Sequence, residues 1–242
     1  MKQAFTPEQR LTRWEIRREL QNIMGRLSQS YLMMDEATIY DRWWSKREDV
    51  CFGVNDGYYS GAEAVSGYYA ALGRRIALAS RLIAEKFPEK TSGKTEEELY
   101  GVGQIGIKPV DTFVIEIAED MLSAKGIWSV HGTYVDITPQ GPVSYWDWGY
   151  YCVDFIPEDG EWKIWHMQYL LDINSPTGDD WAKAPLTFPP EEAFAQMAEV
   201  PIPAPNVPCV LRKTYSPDRP FTESPPLPEP YASFAETFSY GM

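Results

Sequence analysis

The chain has 242 residues, of which 44% are hydrophobic and 14% aromatic, enough apolar material for a large folded core and too much for a disordered chain. A formal charge of −13 argues against nucleic acid or an anionic membrane surface as partner, since both call for clustered Lys and Arg. Three cysteines in no metal-ligand spacing and two histidines suggest neither a disulfide framework nor a metal centre.

Thr6-Pro7-Glu8-Gln9 is a helix start: a capping hydroxyl, proline at the first helical position, then polar residues in the first turn. Trp14, Ile16, Leu20, Ile23, Met24, Leu27 and Tyr31 then recur at helical spacing, with Arg10, Arg13, Arg17, Arg18 and Glu19 on the wet face. The charged N-terminus carries no apolar signal segment, and no apolar run approaches the roughly 20 residues that span a bilayer, so a cytoplasmic location is expected. Asp35 is placed to cap a second helix with the stripe Ile39, Tyr40, Trp43 and Trp44. A short strand from Val50 to Val54 precedes the turn Asn55-Asp56-Gly57, and a third helix runs from Ala62 to about Phe87.

A polar connection from Pro88 to Gly106, with a short helix at Glu96 to Tyr100, leads to four strands. Two are Pro109 to Ala118 and Ser123 to Asp136, followed by a turn at Thr138 to Gly141. The other two are the arms of a hairpin from Ser144 to Ile173, turned at Pro157-Glu158-Asp159-Gly160, where Asp-Gly is a strong hairpin signal. The glycines of Gly101 to Gly106 follow no strand and carry no nucleotide fingerprint. From Asn174 onward most of the twenty prolines occur, and residues 174–242 read as an extended, polyproline-like arm after a domain of residues 1–173. The terminal Tyr231, Phe234, Phe238 and Tyr240 mark an arm that docks.

Strict alternation puts Trp162, Ile164, His166, Gln168 and Leu170 on one face of the last hairpin strand and Trp165, Met167 and Tyr169 on the other. A face carrying His and Gln among apolar residues suits a cavity wall, because both groups need partners when buried. His166 is a candidate acid–base group, with an anchor to a backbone carbonyl as the plain alternative. His131 has no clear face. Asp35 is either a cap or a partner for a pocket group. Asp147, between Trp146 and Trp148, is a base candidate if its face is the pocket and a solvated charge if it is not. Trp44, Tyr59, Tyr69, Tyr134, Trp146, Trp148 and Tyr150, with Gln168, make a candidate substrate-binding set suited to an aromatic ligand. Arg74 and Arg75 lie mid-helix, with a solvated face or the pocket rim as their two readings.

Helix, helix, short strand, long helix and a run of antiparallel strands ending in Asp159-Gly160-Glu161-Trp162-Lys163-Ile164-Trp165-His166 resembles the nuclear transport factor 2-like superfamily and its SnoaL-like branch. Leu27 to Tyr31 with Asp35, and Tyr59-Ser60-Gly61 with Ala64-Val65, carry the rest of the resemblance, which spans about residues 10 to 172. It implies an α+β fold in which a curved antiparallel sheet wraps three N-terminal helices as a cystatin-like cone, with the proline-rich arm outside. Relatives include scytalone dehydratase, ketosteroid isomerase, polyketide cyclases, limonene-epoxide hydrolase, the diarylpropane γ-formaldehyde lyases and non-enzymatic association domains, so the fold leaves the reaction open.

The resemblance implies acid–base chemistry with no cofactor. The aromatic set and the arm look most similar to the γ-formaldehyde lyases, which implies loss of a benzylic hydroxyl from a lignin-dimer-like substrate and release of formaldehyde to leave a stilbene. In that scheme His166 or a tyrosine such as Tyr31 is the acid, and Asp35 or His131 the base. A dehydratase, or an isomerase or cyclase of polyketide-like or steroid-like compounds, is the nearest alternative, and a non-catalytic binding or association module is the other. Pairing through the convex sheet face, with Trp165, Met167 and Tyr169 exposed there, implies a homo-oligomer, dimer or trimer, whose arm contacts a neighbour.

Overall fold

The computed structural model describes residues 5–138, 141–187, 199–220 and 225–242. Helix α1 (Pro7–Leu32) begins in a capping box: the Thr6 hydroxyl accepts from the Gln9 backbone N–H at 3.2 Å, and Gln9 Oε1 accepts from the Thr6 N–H at 2.9 Å. Its buried stripe is Ile16, Leu20, Ile23, Met24, Leu27 and Tyr31, as the spacing predicts, but Trp14 is 67% exposed. Two arginines of the expected wet face are structural. Arg13 donates to the carbonyls of Ala118 and Ile117 at 2.7 and 2.8 Å, and Arg17 to that of Ile115 at 2.6 Å. They occupy acceptors of a strand that pairs on one side only, which blunts an exposed sheet edge.

After α1 come a 3-10 turn (Glu36–Thr38), a short α2 (Ile39–Trp43), the antiparallel pair β1 (Cys51–Val54) and β2 (Gly57–Ser60), and α3 (Ala62–Lys86). Asp35 makes no side-chain capping bond to the turn that follows it. Helices α4 (Pro88–Thr91) and α5 (Glu96–Leu99) lead to β3 (Gly106–Ile107), β4 (Val110–Ile117), β5 (Ala124–Thr138), β6 (Gly141–Glu158), β7 (Glu161–Pro176) and β8 (Val207–Pro208). The turn expected between β5 and β6 lies partly outside the described residues. The sheet order is β3-β5-β6-β7-β1-β2-β8, with β4 also on β5; β1 runs parallel to β7 and the other pairs are antiparallel. Asp159 and Gly160 turn the long hairpin at φ 53° and 84°, the left-handed pair that a two-residue corner demands.

The hairpin departs from simple alternation at two residues of β7, Trp165 and Asp172. Phe155 pairs with Ile164 and Asp154 with His166, so Trp165 is an extra residue with no partner of its own. One inserted residue moves the side chains that follow to the opposite face, here as far as Leu171, after which the unpaired Asp172 restores the original parity. Trp162 and Ile164 point into the core, and the core is then continued by Met167 and Tyr169 rather than by His166 and Gln168. The convex surface expected of Trp165, Met167 and Tyr169 therefore does not form: Met167 is 0% and Tyr169 8% exposed within the main core.

That core lies between the concave face of the sheet and helices α1 to α3. It includes Leu20, Met24 and Leu27 from α1, Trp44 after α2, Val65 and Tyr69 from α3, and Trp128, Val130, Tyr151, Val153 and Phe155 from β5 and β6. Each fully buried aliphatic side chain there contributes about 1.5–3 kcal/mol.

Part of the convex face is covered by the arm of the same chain. Leu211, Phe238 and Tyr240 pack on Ile127, Cys152 and Leu170. Beneath them Lys125 and Asp154, both fully buried, pair at 2.6 Å. Asp154 Oδ2 lies 2.9 Å from His166 Nδ1 and accepts from the Ser239 hydroxyl at 3.0 Å and the Tyr240 N–H at 2.8 Å. The Lys125 ammonium is 4.6 Å from the ring centroids of Phe234 and Phe238. Segment 207–208 of the arm also pairs with β2, so the arm is part of the sheet and of its cover. Among the described residues no helix is long and apolar enough to cross a membrane.

Candidate active site

A cavity of about 650 Å³ opens between the C-terminal end of α1, α3, the link between β3 and β4, and the concave face of β5 to β7. At its wall the Lys108 ammonium is 2.6 Å from Asp147 Oδ2, and the Tyr169 hydroxyl donates to Asp147 Oδ1. Lys108 Nζ lies 4.8 Å from the ring centroid of Tyr31 and 4.7 Å from that of Tyr169, so two aromatic faces steady the charge. The positions follow from the strands. Asp147 on β6 shares the concave parity of Tyr151 and Val153, and the bulge at Trp165 brings Tyr169 to the same side. Lys108 sits in the two-residue link after β3, where its carbonyl accepts from Ser28 of α1 at 2.6 Å. Gly132, opposite Asp147 on β5, must be glycine, because a Cβ there would lie 2.6 Å from the Ile107 carbonyl oxygen.

Glu36 is the second centre of charge. It is 8% exposed and lines the cavity, and its Oε2 is buried with no hydrogen-bond partner. Burial pushes its carboxyl up to about 7, against a smaller downward pull from Lys108. The turn that carries it fits against α3 at Gly73, where a Cβ would come within 2.6 Å of that of Ala37. Farther out, Tyr134 donates to Asn174 Oδ1 at 2.9 Å, and Asp136, raised by burial, shares the wall with Arg75. Burial also raises the hydroxyls of Tyr31 and Tyr68 well above the usual phenol range. Leu72, Ile76, Leu171, Leu186 and Ile202 supply apolar surface.

Of the residues expected to form the site, Tyr31 and Tyr134 line the cavity. His166 does not: the bulge turns it to the convex face, against Asp154 and Ser239. His131 is on the convex side of β5, its side chain 54% exposed, 3.5 Å from Asp111. Asp35 is paired with Arg42 at 2.6 Å, and its neighbour Glu36 takes the inward position. Trp44 and Tyr69 are fully buried in the core, and Tyr59 is buried there with its hydroxyl donated to the Pro203 carbonyl at 2.7 Å. Trp146, Trp148 and Tyr150 alternate away from Asp147 onto the convex face, Tyr150 beneath Arg212. Gln168 is also convex, donating to the Tyr58 hydroxyl and the Tyr240 carbonyl, each at 2.8 Å. Sequence reasoning singles out neither Glu36 nor Lys108, and it places Tyr169 on the convex face, whereas Tyr169 lines the cavity. A strand carboxylate between two tryptophans was the one sequence signal for Asp147, and Lys108, in an unpatterned link, has none.

No family model matches the chain, and no curated protein is similar to it. Solved structures similar to it include a hexachlorocyclohexane dehydrochlorinase (LinA) type 2, at 16% identity over 74% of this chain and 97% of that one, with a TM-score of 0.47. The LinA-type3 dehydrochlorinase of Novosphingobium barchaimii is 17% identical over 74% and 98%, with a TM-score of 0.46. An NTF2-like protein with a cystatin-like fold from Novosphingobium aromaticivorans is 17% identical over 78% and 99%, with a TM-score of 0.44. At these values the likeness transfers no substrate and no residue roles. The sheet curved over helices α1 to α3 is an α+β arrangement, and the cavity between sheet and helices is its candidate active site.

Proposed function

We propose that the chain is an acid–base lyase that works without a cofactor on a small, neutral, hydroxylated aromatic compound. The observation that carries this reading is Glu36, a buried carboxyl with an unpartnered oxygen in the cavity, next to a built cluster of Lys108, Asp147 and Tyr169. A carboxyl near 7 is populated in both forms at neutral pH and moves a proton in either direction. Aromatic and apolar walls favour a ring substrate. Both cavity cations already face carboxylates, Lys108 against Asp147 and Arg75 near Asp136, which disfavours an anionic ligand.

The specific reaction we propose is that of a 1,2-diaryl-1,3-propanediol. The Lys108 ammonium, held by Asp147 and the Tyr31 and Tyr169 rings, gives a proton to the benzylic hydroxyl, which leaves as water. Glu36 as carboxylate takes the proton of the terminal alcohol. The carbon–carbon bond to that terminal carbon then breaks, its electrons complete the stilbene double bond, and formaldehyde departs. Return of the proton from Glu36 to Lys108 resets the site. The test is incubation with such a diol, following stilbene absorbance and formaldehyde together, for the wild type and Glu36→Gln. Formation of both products, lost in the variant, is the expected result. A wild type that makes neither product from diaryl diols, yet dehydrates simpler hydroxyaryl compounds in a Glu36-dependent manner, would leave the lyase class and remove the formaldehyde step.

A further inference from the structure

The cavity is not completed by the cone. Two of its apolar lining residues, Leu186 and Ile202, come from the proline-rich arm. Each is tied to the cone by backbone anchors on either side. Around Leu186, the Asn174 N–H donates to the Pro185 carbonyl at 2.7 Å and the Thr187 N–H to the Asn174 carbonyl at 2.6 Å. Asn174 is the residue whose side chain takes the Tyr134 hydroxyl inside the cavity, so one residue holds the arm and the lining together.

Around Ile202, Arg75 Nε donates to the Val200 carbonyl at 3.0 Å and the Tyr59 hydroxyl to the Pro203 carbonyl at 2.7 Å. Just beyond, Asn206 exchanges two hydrogen bonds with the backbone of Ser60, at 2.7 and 2.9 Å, and β8 pairs with β2. Ile202 lies between Pro201 and Pro203. Proline on both sides fixes two φ angles and keeps the intervening residue extended, which leaves little freedom to retract the side chain. The rings of those prolines cannot donate hydrogen bonds, so the anchors fall on the carbonyls, as observed.

We infer that Leu186 and Ile202 are specificity-determining residues, a fixed apolar wall contributed by the arm that sets the length of the ring compound the cavity accepts. This rests on the reading of the cavity as the substrate site, though not on the particular bond that is broken. The wall is held against the cone on both flanks, by the isolated bridge of Leu186 to Asn174 and by the hydrogen bonds to the Val200 and Pro203 carbonyls.

The experiment uses the full chain and two probes, trans-4,4′-dihydroxystilbene as a two-ring ligand and 4-methylphenol as a one-ring ligand. The stilbene is titrated by its fluorescence and the phenol by competition. Ile202→Trp, which fills the wall, is expected to weaken the stilbene by about tenfold or more while leaving the phenol within about twofold, since a shape change in an apolar pocket discriminates on this scale. Ile202→Ala and Leu186→Ala are expected to lower the preference for the stilbene by a similar factor. Where an alanine variant fails to fold, Ile202→Val and Leu186→Val read the same preference. Variants that change both probes equally, or neither, overturn the wall. A changed preference together with no turnover of diaryl diols supports the wall and removes the proposed reaction. A wild type that binds neither probe overturns both.

Discussion

His166 and Asp154 face each other at 2.9 Å across the two long strands, on the opposite side of the sheet from the cavity. One histidine with a carboxylate partner has the look of an acid–base pair, yet its ring is stacked at 4.2 Å on Trp165 and closed over by Phe234 and Ser239 of the arm. The pair is a fastening between sheet and arm.

Replacement of His166 tests that assignment. His166→Gln is expected to leave kcat/KM at the cavity within about threefold and to lower unfolding free energy by about 1–3 kcal/mol, the cost of an imperfectly satisfied buried polar group. Urea unfolding and turnover are measured on the same preparation. Lost turnover with unchanged stability would move the active site to the convex face.

The Glu36 carboxyl makes stability and activity respond oppositely to pH. Its folded value is about 7 and its ordinary value 4.5, so the folded state favours the protonated form. The stabilising difference is fully present below about pH 4.5 and is lost as the pH rises through about 7. Ionising it costs about 3 kcal/mol on this scale. Glu36→Gln is therefore expected to match the wild type in stability at pH 4 and exceed it at pH 8. Wild-type activity rises through about pH 7 as the carboxylate forms, and the variant shows no such rise. Denaturant melts at the two pH values, with a pH–rate profile, decide it.

Lys108 and Asp147 are expected to behave as a unit. Lys108→Met leaves a buried carboxylate without its cation and costs about 3–5 kcal/mol. The double variant with Asp147→Asn recovers most of that stability, while turnover stays about 100-fold or more below wild type. Recovery of turnover in the double variant would exclude Lys108 as the acid. A double-mutant cycle in both stability and rate makes the measurement.

The arm's last residues are expected to be indispensable to the fold. Removal of residues 231–242 uncovers the Lys125–Asp154 pair and takes away the aromatic rings around the ammonium. Loss of about 3–5 kcal/mol or more is expected, with partial rescue by Lys125→Met and Asp154→Leu together, because an apolar pair needs no charge partner. A truncated chain of wild-type stability would show that the arm rests on the sheet without supporting it.

Much of the fold was legible locally. The Thr6 capping box, the apolar stripe of α1, the Asn55 to Gly57 turn and the Asp159-Gly160 corner are set by neighbours within a few residues, and the strands fall close to where alternation places them. The concave parity of Tyr134 was part of the same pattern, and so was the inward position of Tyr31.

Four things were decided only by the assembled chain. The inserted Trp165 changes the face of the residues from His166 to Leu171, until a second insertion at Asp172 restores it, and an insertion is defined by the partner strand, through the pairing of Asp154 and Phe155 with His166 and Ile164. Glu36 rather than Asp35 points inward because the turn packs on α3 at Gly73. Lys108 becomes a site residue through contact with Asp147, 39 positions away, and with Tyr31. The proline-rich arm shows in composition that it is extended, but its seat depends on carbonyl acceptors and buried charges distributed over β2, β5, β6 and β7. Periodicity and turn chemistry are short-range and survive in one dimension. Which face a strand presents, and which carboxyl loses its water, depend on what packs against it.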